Sequence, residues 1–336
     1  MSTKILATIG PSSFNQGTIS ELEKNGVNLF RINLSHTKIK DLRGIIEKIQ
    51  TWSTVPLCLD SEGAQIRNQD MNSESVMFNK GEKVRIHKHF LQGDSNNISL
   101  TPSNVYEQLI VGDIIYVDFN SVALKVFELG KDIHIAEVLS SGRVGSNKAV
   151  NITRDLILNP LTEKDILAFK LGKEIGIENF SLSFTNCAND IAEVRKIIGD
   201  SNLISKIESI KGVLNLSEIL PLVNQILIDR GDLSREVDIE KIPFIQRRII
   251  AHARSKNTPV YVATNLLESM IDHHQPTRAE MNDIASTLLM GSEGLVLAAE
   301  TAIGKYPVET VQMINKVIKQ YNRWTPESSS KDIIFD

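Results

Sequence analysis

Ile204-Ser-Lys-Ile-Glu208 and Leu227-Ile-Asp-Arg-Gly-Asp232 are two short strand-like runs that each end in charged residues. Side chains alternate between the faces of a strand, so Lys206 and Glu208 leave theirs on the same side. If the two runs are neighbours in a parallel sheet, Lys206, Glu208, Arg230 and Asp232 meet at its carboxyl edge. Two carboxylates held together there repel each other unless a cation lies between them. A divalent metal meets that need, and a lysine beside it suits negative charge building up on a phosphoryl group or an enolate.

The rest of the chain supplies a setting for such an edge. Strand-like runs fall at residues 4–10, 27–35, 56–61, 179–184, 203–208, 225–230, 259–264 and 294–300. Amphipathic helical stretches lie between and after them, at 38–52, 162–176, 188–199, 239–256, 278–290 and 307–324. Eight strands each followed by a helix is the count of a closed (β/α)₈ TIM barrel, an α/β fold whose site is built at the strands' carboxyl ends. A doubly wound open sheet competes, but no Gly-x-Gly-x-x-Gly follows the first strand.

One connection breaks this rhythm. Between residues 68 and 158 the pattern turns to period-two alternation, as in Val84-Arg-Ile-His, Asp113-Ile-Ile-Tyr-Val, Ala123-Leu-Lys-Val and Ile133-His-Ile-Ala-Glu-Val. The expected organisation is a barrel over residues 1–67 and 159–324, with 68–158 as a small all-β domain inserted after strand three. An insertion growing from the catalytic face is well placed to be a lid that excludes water. The tail, 325–336, reads as mobile.

Composition narrows the classes. The 336 residues carry a net charge of -4, which gives no general pull toward nucleic acid or acidic membranes. No apolar stretch is long enough to span a bilayer, and the N-terminus has no signal-peptide pattern. The two cysteines, Cys58 and Cys187, lie in or beside apolar runs and read as reduced, so a cytoplasmic location is expected.

Several segments together resemble the pyruvate kinase family, over nearly the whole chain and in the family's order. They are Thr3-Lys-Ile-Leu-Ala-Thr-Ile-Gly-Pro-Ser-Ser13, Phe30-Arg-Ile-Asn-Leu-Ser-His36, Leu161-Thr-Glu-Lys-Asp165, Ser205-Lys-Ile-Glu208 and Arg230-Gly-Asp-Leu233. Ala263-Thr-Asn-Leu-Leu-Glu-Ser-Met-Ile271, Gln275-Pro-Thr-Arg-Ala-Glu280 and Glu300-Thr-Ala continue the series. The resemblance implies a TIM barrel with a β lid after strand three. It also implies phosphoryl transfer between phosphoenolpyruvate and ADP, giving pyruvate and ATP. The sequence stops just past the eighth helix, so a form without the family's C-terminal regulatory domain and its effector site is expected, as a homodimer.

The same resemblance implies roles. Glu208 and Asp232 hold Mg²⁺ or Mn²⁺, Lys206 stabilises the phosphoryl group in flight, and Arg31 grips phosphate. Thr264 is tied to protonating the enolate carbon, and the backbone amides of Gly231 and Asp232 hold the substrate carboxylate. Asn33, Ser35, Asp60 and Ser61 enclose a monovalent cation, usually K⁺. Arg31, Asn33 and Ser35 alternate in sequence and are expected on one face of strand two. His36, Arg67 and Lys148 are nucleotide-side contacts.

Departures from the family pattern cluster in the periphery. Its Asp-Thr-Lys-Gly-Pro-Glu-Ile-Arg loop reads Asp60-Ser-Glu-Gly-Ala-Gln-Ile-Arg67 here. Glu62 thus reverses a charge, and Gln65 replaces a position linked to K⁺ dependence. Phe119 lies in an altered lid segment, Ala299 replaces a serine, and Ile303 replaces a lysine. These changes leave two other readings open: a kinase of the same machinery acting on a different keto acid or nucleotide, and a non-catalytic nucleotide-binding relative.

Overall fold

A computed structural model describes residues 3–118 and 121–335, so Phe119 lies outside the described residues. The chain forms two compact units, one up to Gly63 and again from Pro160, the other Ala64–Asn159. The first unit holds strands β1 (Lys4–Thr8), β2 (Leu29–Asn33) and β3 (Leu57–Asp60). The second holds β4 (Ile66–Asn68), β5 (Val76–Phe78), β6 (Lys83–His87), β7 (Asn97–Thr101), β8 (Ile114–Val117), β9 (Val122–Glu128), β10 (Ile133–Ser140), β11 (Gly142–Val144) and β12 (Ala149–Ile152). The chain then returns to the first unit with β13 (Asn179–Leu182), β14 (Asn202–Ile207), β15 (Gln225–Asp229), β16 (Val260–Ala263) and β17 (Gly294–Leu297).

Among the described residues the first unit is a closed parallel barrel of eight strands, in the order β1-β17-β16-β15-β14-β13-β3-β2. Its helices are α1 (Gln16–Lys24) and α2 (Ile39–Trp52), with α3 (Asn104–Gln108) falling in the insertion. After the insertion come α4 (Glu163–Glu174), α5 (Ala188–Ile198), α6 (Ile210–Leu214), α7 (Leu216–Ile219), α8 (Arg230–Leu233) and α9 (Ile242–Ser255). The last are α10 (Arg278–Leu289), α11 (Ala299–Ala302), α12 (Pro307–Arg323) and α13 (Ser330–Phe335) in the tail. No helix of the described residues is long and apolar enough to cross a membrane.

Helical period explains how these segments close on the sheet. In α2 the buried residues Leu42, Ile46 and Ile49 recur at spacings of four and three, which is one stripe of an α-helix. In α12 the stripe is Val311, Ile314 and Ile318. Thr162 starts α4 with a capping box, in which its side chain accepts from the Asp165 amide and Asp165 reaches back to the Thr162 amide. Asp165 also accepts from the amides of Glu62 (2.8 Å) and Gly63 (3.1 Å), which fastens the turn after β3 to this helix.

Two cores result. One lies between strands and helices and includes Phe30, Phe169, Phe180, Ile228 and Ile314. The other fills the barrel with Leu6, Leu29, Cys58, Ile204, Leu227, Tyr261, Ala263 and Val296. The second unit closes a separate barrel in the order β10-β6-β7-β4-β12-β8-β9, around Val84, Ile86, Ile115, Val126 and Val138. It begins a few residues before the alternating sequence pattern does, because Ile66 and Arg67 in β4 pair with β12.

Candidate active site

Four barrel strands repeat one pattern, an apolar interior residue followed two positions later by a charged one. Leu29 precedes Arg31, Cys58 precedes Asp60, Ile204 precedes Lys206, and Leu227 precedes Asp229. Two positions is one period of a strand, so the charged groups stand directly on the apolar floor. All four are buried.

Lys206 is the hub. Its Nζ lies 3.0 Å from Glu208 Oε2, 3.5 Å from Asp229 Oδ2 and 3.8 Å from Asp60 Oδ2. It also donates to Ser183 Oγ at 3.1 Å. Burial works against the ammonium, but Asp60, Glu208 and Asp229 outweigh it and hold Lys206 above the ordinary lysine range. Arg31 donates from Nε (2.9 Å) and Nη2 (2.6 Å) to Asp60 Oδ2, and from Nη1 to Thr8 Oγ1 (3.2 Å). Its guanidinium is buried too, yet Asp60 and Asp229 keep it firmly charged.

The carboxylates differ among themselves. Burial pushes the Glu208 carboxyl up to about 8, and the nearby Asp232, Asp229 and Asp60 carboxylates add to the rise against the pull of Lys206. Burial also disfavours the Asp229 charge, but Lys206, the Thr264 hydroxyl and Arg31 prevail and hold it below the usual carboxylate range.

Asp229 escaped the sequence reading, and Arg230 was placed wrongly by it. Lys206 pairs in register with Leu227, so the interior phase of β15 runs through Leu227 and Asp229, not Arg230. Arg230 points away, with Nη1 2.7 Å from Asp283 Oδ2 and its Nε and Nη2 on the Thr264 carbonyl. Asp232 joins the site through the turn of α8, where its amide donates to Asp229 Oδ1 at 3.4 Å. The apolar run Ile226-Leu-Ile228 is buried on both faces and carries no phase. The pairing register alone supplies it.

Ligand atoms of Glu208, Asp229 and Asp232 all lie within 4.8 Å of one another. Glu208 Oε1 accepts from the Phe184 amide at 2.7 Å, and its buried Oε2 faces the Lys206 ammonium at 3.0 Å. Asp232 Oδ1 is 2.9 Å from Arg235 Nη2. An all-carboxylate donor set fits a hard divalent cation such as Mg²⁺ or Mn²⁺.

Thr264 closes the site from the end of β16. Its Oγ1 donates to Asp229 Oδ1 at 2.6 Å. The residue has φ +78°, a left-handed conformation that costs a β-branched residue on the order of 1–3 kcal/mol. Gly231 is required beside it, because a Cβ there would stand 2.8 Å from Thr264 Cγ2.

The residues expected around a monovalent cation are brought together in part. Asn33 and Asp60 are register partners on β2 and β3. Asp60 Oδ1 is buried and accepts no hydrogen bond. Ser61 Oγ accepts from the Ser183 amide at 2.9 Å. Ser35, however, is not on the strand, since β2 stops at Asn33 and residues Leu34–His36 form a 3₁₀ turn. Asn33 Oδ1 caps that turn by accepting from the Ser35 amide at 2.9 Å, which ends the alternation. His36 is exposed at the end of the turn.

Glu62, the reversed charge, lies 2.7 Å from Lys164 Nζ, which also donates to the Leu34 carbonyl at 2.5 Å. Arg67 and Lys148 belong to the second unit. There the Arg67 guanidinium donates to the Asn147 carbonyl (2.7 Å) and to Gln65 Oε1 (2.9 Å), and Lys148 Nζ lies 3.6 Å from Asp118 Oδ2. Ile303 is exposed just past α11.

Known proteins share this architecture. The family profile described as "Pyruvate kinase, barrel domain" matches residues 1–311. Pyruvate kinase of Thermotoga maritima is 35% identical over 335 residues, covering 95% of this chain and 71% of its own length. That of Dictyostelium discoideum is 34% identical over 335 residues, covering 95% of this chain and 66% of its own length. A crystal structure of a pyruvate kinase from Cryptosporidium parvum aligns with a TM-score of 0.84 at 29% identity, over 97% of this chain and 70% of that one. The chain spans 56% of the Bacillus licheniformis relative, so several of these proteins are much longer.

Proposed function

The chain belongs to the pyruvate kinase family, and from that membership we propose that it is a divalent-metal-dependent phosphotransferase converting phosphoenolpyruvate and ADP to pyruvate and ATP. The observation that carries this reading is the convergence of Lys206 with buried Glu208 and Asp229 and half-buried Asp232 in one cluster. Glu208, Asp229 and Asp232 would hold Mg²⁺ or Mn²⁺. Bound there, the ion supplies Lewis-acid stabilisation of oxygen charge and a template for the phosphate. Lys206 and Arg31, both fixed in place before substrate arrives, neutralise charge on the moving phosphoryl group. Arg31 must exchange part of its hold on Asp60 for phosphate oxygens.

The Thr264 hydroxyl, tied to Asp229, is assigned to relaying a solvent proton to the enolate carbon: its oxygen takes a proton from water as it hands on its own, and the carbon becomes a methyl group. Backbone amides at Gly231 and Asp232 are assigned to the substrate carboxylate. Asp60 Oδ1, with Asn33, Ser35 and Ser61, is the candidate set for K⁺, and His36, Arg67 and Lys148 are the candidate nucleotide contacts. A homodimer through the exposed surface at Thr277 and Arg278 is part of this reading. Glu62 is paired with Lys164, which lessens the weight of its reversed charge for a different acceptor, and we place the phosphoenolpyruvate reading first.

Incubation with phosphoenolpyruvate, ADP and Mg²⁺, with and without K⁺, tests this by pyruvate release. Lys206→Met should lower kcat by about a hundredfold, roughly 3 kcal/mol, while nucleotide still binds. Wild-type turnover in that variant would defeat the assignment.

A further inference from the structure

Three consecutive residues hold three different parts of Thr264. Asp229 Oδ1 accepts from its hydroxyl at 2.6 Å. Arg230 donates to its carbonyl from Nε at 3.1 Å and Nη2 at 2.5 Å. Gly231 makes room for its methyl, where any Cβ would stand 2.8 Å away. Thr264 is no glycine, yet its φ is +78°, and Asn265 follows at +57°. A β-branched residue stays in that region only where its surroundings over-determine it.

Arg230 is the member of this group with an anchor outside the barrel. Its side chain is 12% exposed, and Nη1 lies 2.7 Å from Asp283 Oδ2 on α10. The same nitrogen is 3.5 Å from Gln246 Oε1 on α9, and buried Gln246 donates in turn to Thr287 Oγ1 at 3.1 Å. Two outer helices therefore fix the guanidinium, and the guanidinium fixes the Thr264 carbonyl with a two-pronged contact. A lysine ammonium has no planar fork with which to reproduce it.

We propose that Arg230, held by Asp283, is a positioning residue that keeps the Thr264 hydroxyl on Asp229 and thereby sets the geometry of proton transfer to the enolate carbon. The proposal rests on the assignment of Thr264 to that step. Arg230 faces the Thr264 carbonyl and Asp283, and its assigned action is through Thr264.

Wild type is compared with Arg230→Met, Arg230→Lys and Asp283→Asn in methyl exchange, Mn²⁺ affinity and turnover of phosphoenolpyruvate. Exchange of pyruvate methyl hydrogens with D₂O, followed by proton NMR with ATP and Mg²⁺, should fall at least about tenfold in Arg230→Met. Mn²⁺ affinity, from electron paramagnetic resonance titration, should stay at the wild-type value. Arg230→Lys and Asp283→Asn should fall between, and they carry the test if Arg230→Met does not fold. Wild-type exchange in all three variants would overturn the proposal, as would equal losses of exchange and Mn²⁺ affinity. A wild type inactive in both exchange and turnover would overturn the functional reading instead. The crystal structure of an Arg230 variant then decides the positioning claim: Thr264 should leave the left-handed region and release Asp229, and an unmoved Thr264 contradicts it.

Discussion

Asp229 uses its two oxygens for different work. Oδ1 takes the Thr264 hydroxyl at 2.6 Å and the Asp232 amide at 3.4 Å. Oδ2 faces Lys206 Nζ at 3.5 Å and is left for a metal. Asp229→Asn keeps the shape and removes the charge, so Mn²⁺ affinity should drop by at least about tenfold. Unchanged affinity in a spectroscopic titration would remove Asp229 from the ligand set. Glu208 gives a pH signature of opposite sense to an ordinary surface carboxylate. Its folded value of about 8 lies above the ordinary 4.5, so the folded protein holds this proton more tightly than the unfolded chain does. The stability it contributes is complete below 4.5 and is lost as pH rises through about 8. Asp229, held low, is already ionised across that window and adds no slope there. Metal-free protein should therefore melt at lower temperature as pH rises from 5 toward 8, and Glu208→Gln should flatten the decline. A wild type that gains stability over the window relative to the variant would contradict the assignment.

At the scale of elements, α4 shows how one side chain serves fold and site together. Asp165 completes the cap of its own helix and takes the amides of Glu62 and Gly63. Asp165→Ala should cost about 1–3 kcal/mol, because a buried amide, a half-buried one and a cap lose their acceptor at once. Urea unfolding measures it, and a change near zero would show that the turn after β3 is held by something else. Elements were also where the sequence was easiest to read. The eight runs and the helices between them stand out because 2.0 and 3.6 periods separate cleanly when strands and helices alternate. The failures are local and physical. Ser35 reads as strand in sequence because the Arg31-x-Asn33-x-Ser35 spacing continues past the point where the Asn33 side chain turns the backbone. The sequence places Arg230 in the site and leaves Asp229 out, because β15 is apolar on both faces and only its pairing with β14 sets which residues point inward. The Glu62–Lys164 pair was illegible for another reason, since it joins segments a hundred residues apart around the insertion.

For the molecule as a whole, barrel closure is what turns these separate strands into one site. Every barrel strand except β13 contributes an apolar side chain to the interior, and the next interior position on β2, β3, β14 and β15 carries charge. An open sheet would spread Arg31, Asp60, Lys206 and Asp229 along an edge, whereas the closed barrel turns them toward a common axis. The apolar floor beneath excludes water from one side and raises the strength of every charge interaction above it. The most direct test is a crystal soaked with Mn²⁺ and a phosphoenolpyruvate analogue, read by anomalous scattering. We expect one strong peak bonded to carboxylate oxygens of Glu208 and its two aspartate neighbours, with the analogue's phosphate against Lys206 and Arg31. A peak elsewhere, or none at saturating Mn²⁺, would contradict the assignment of this pocket as a divalent-metal phosphotransfer site.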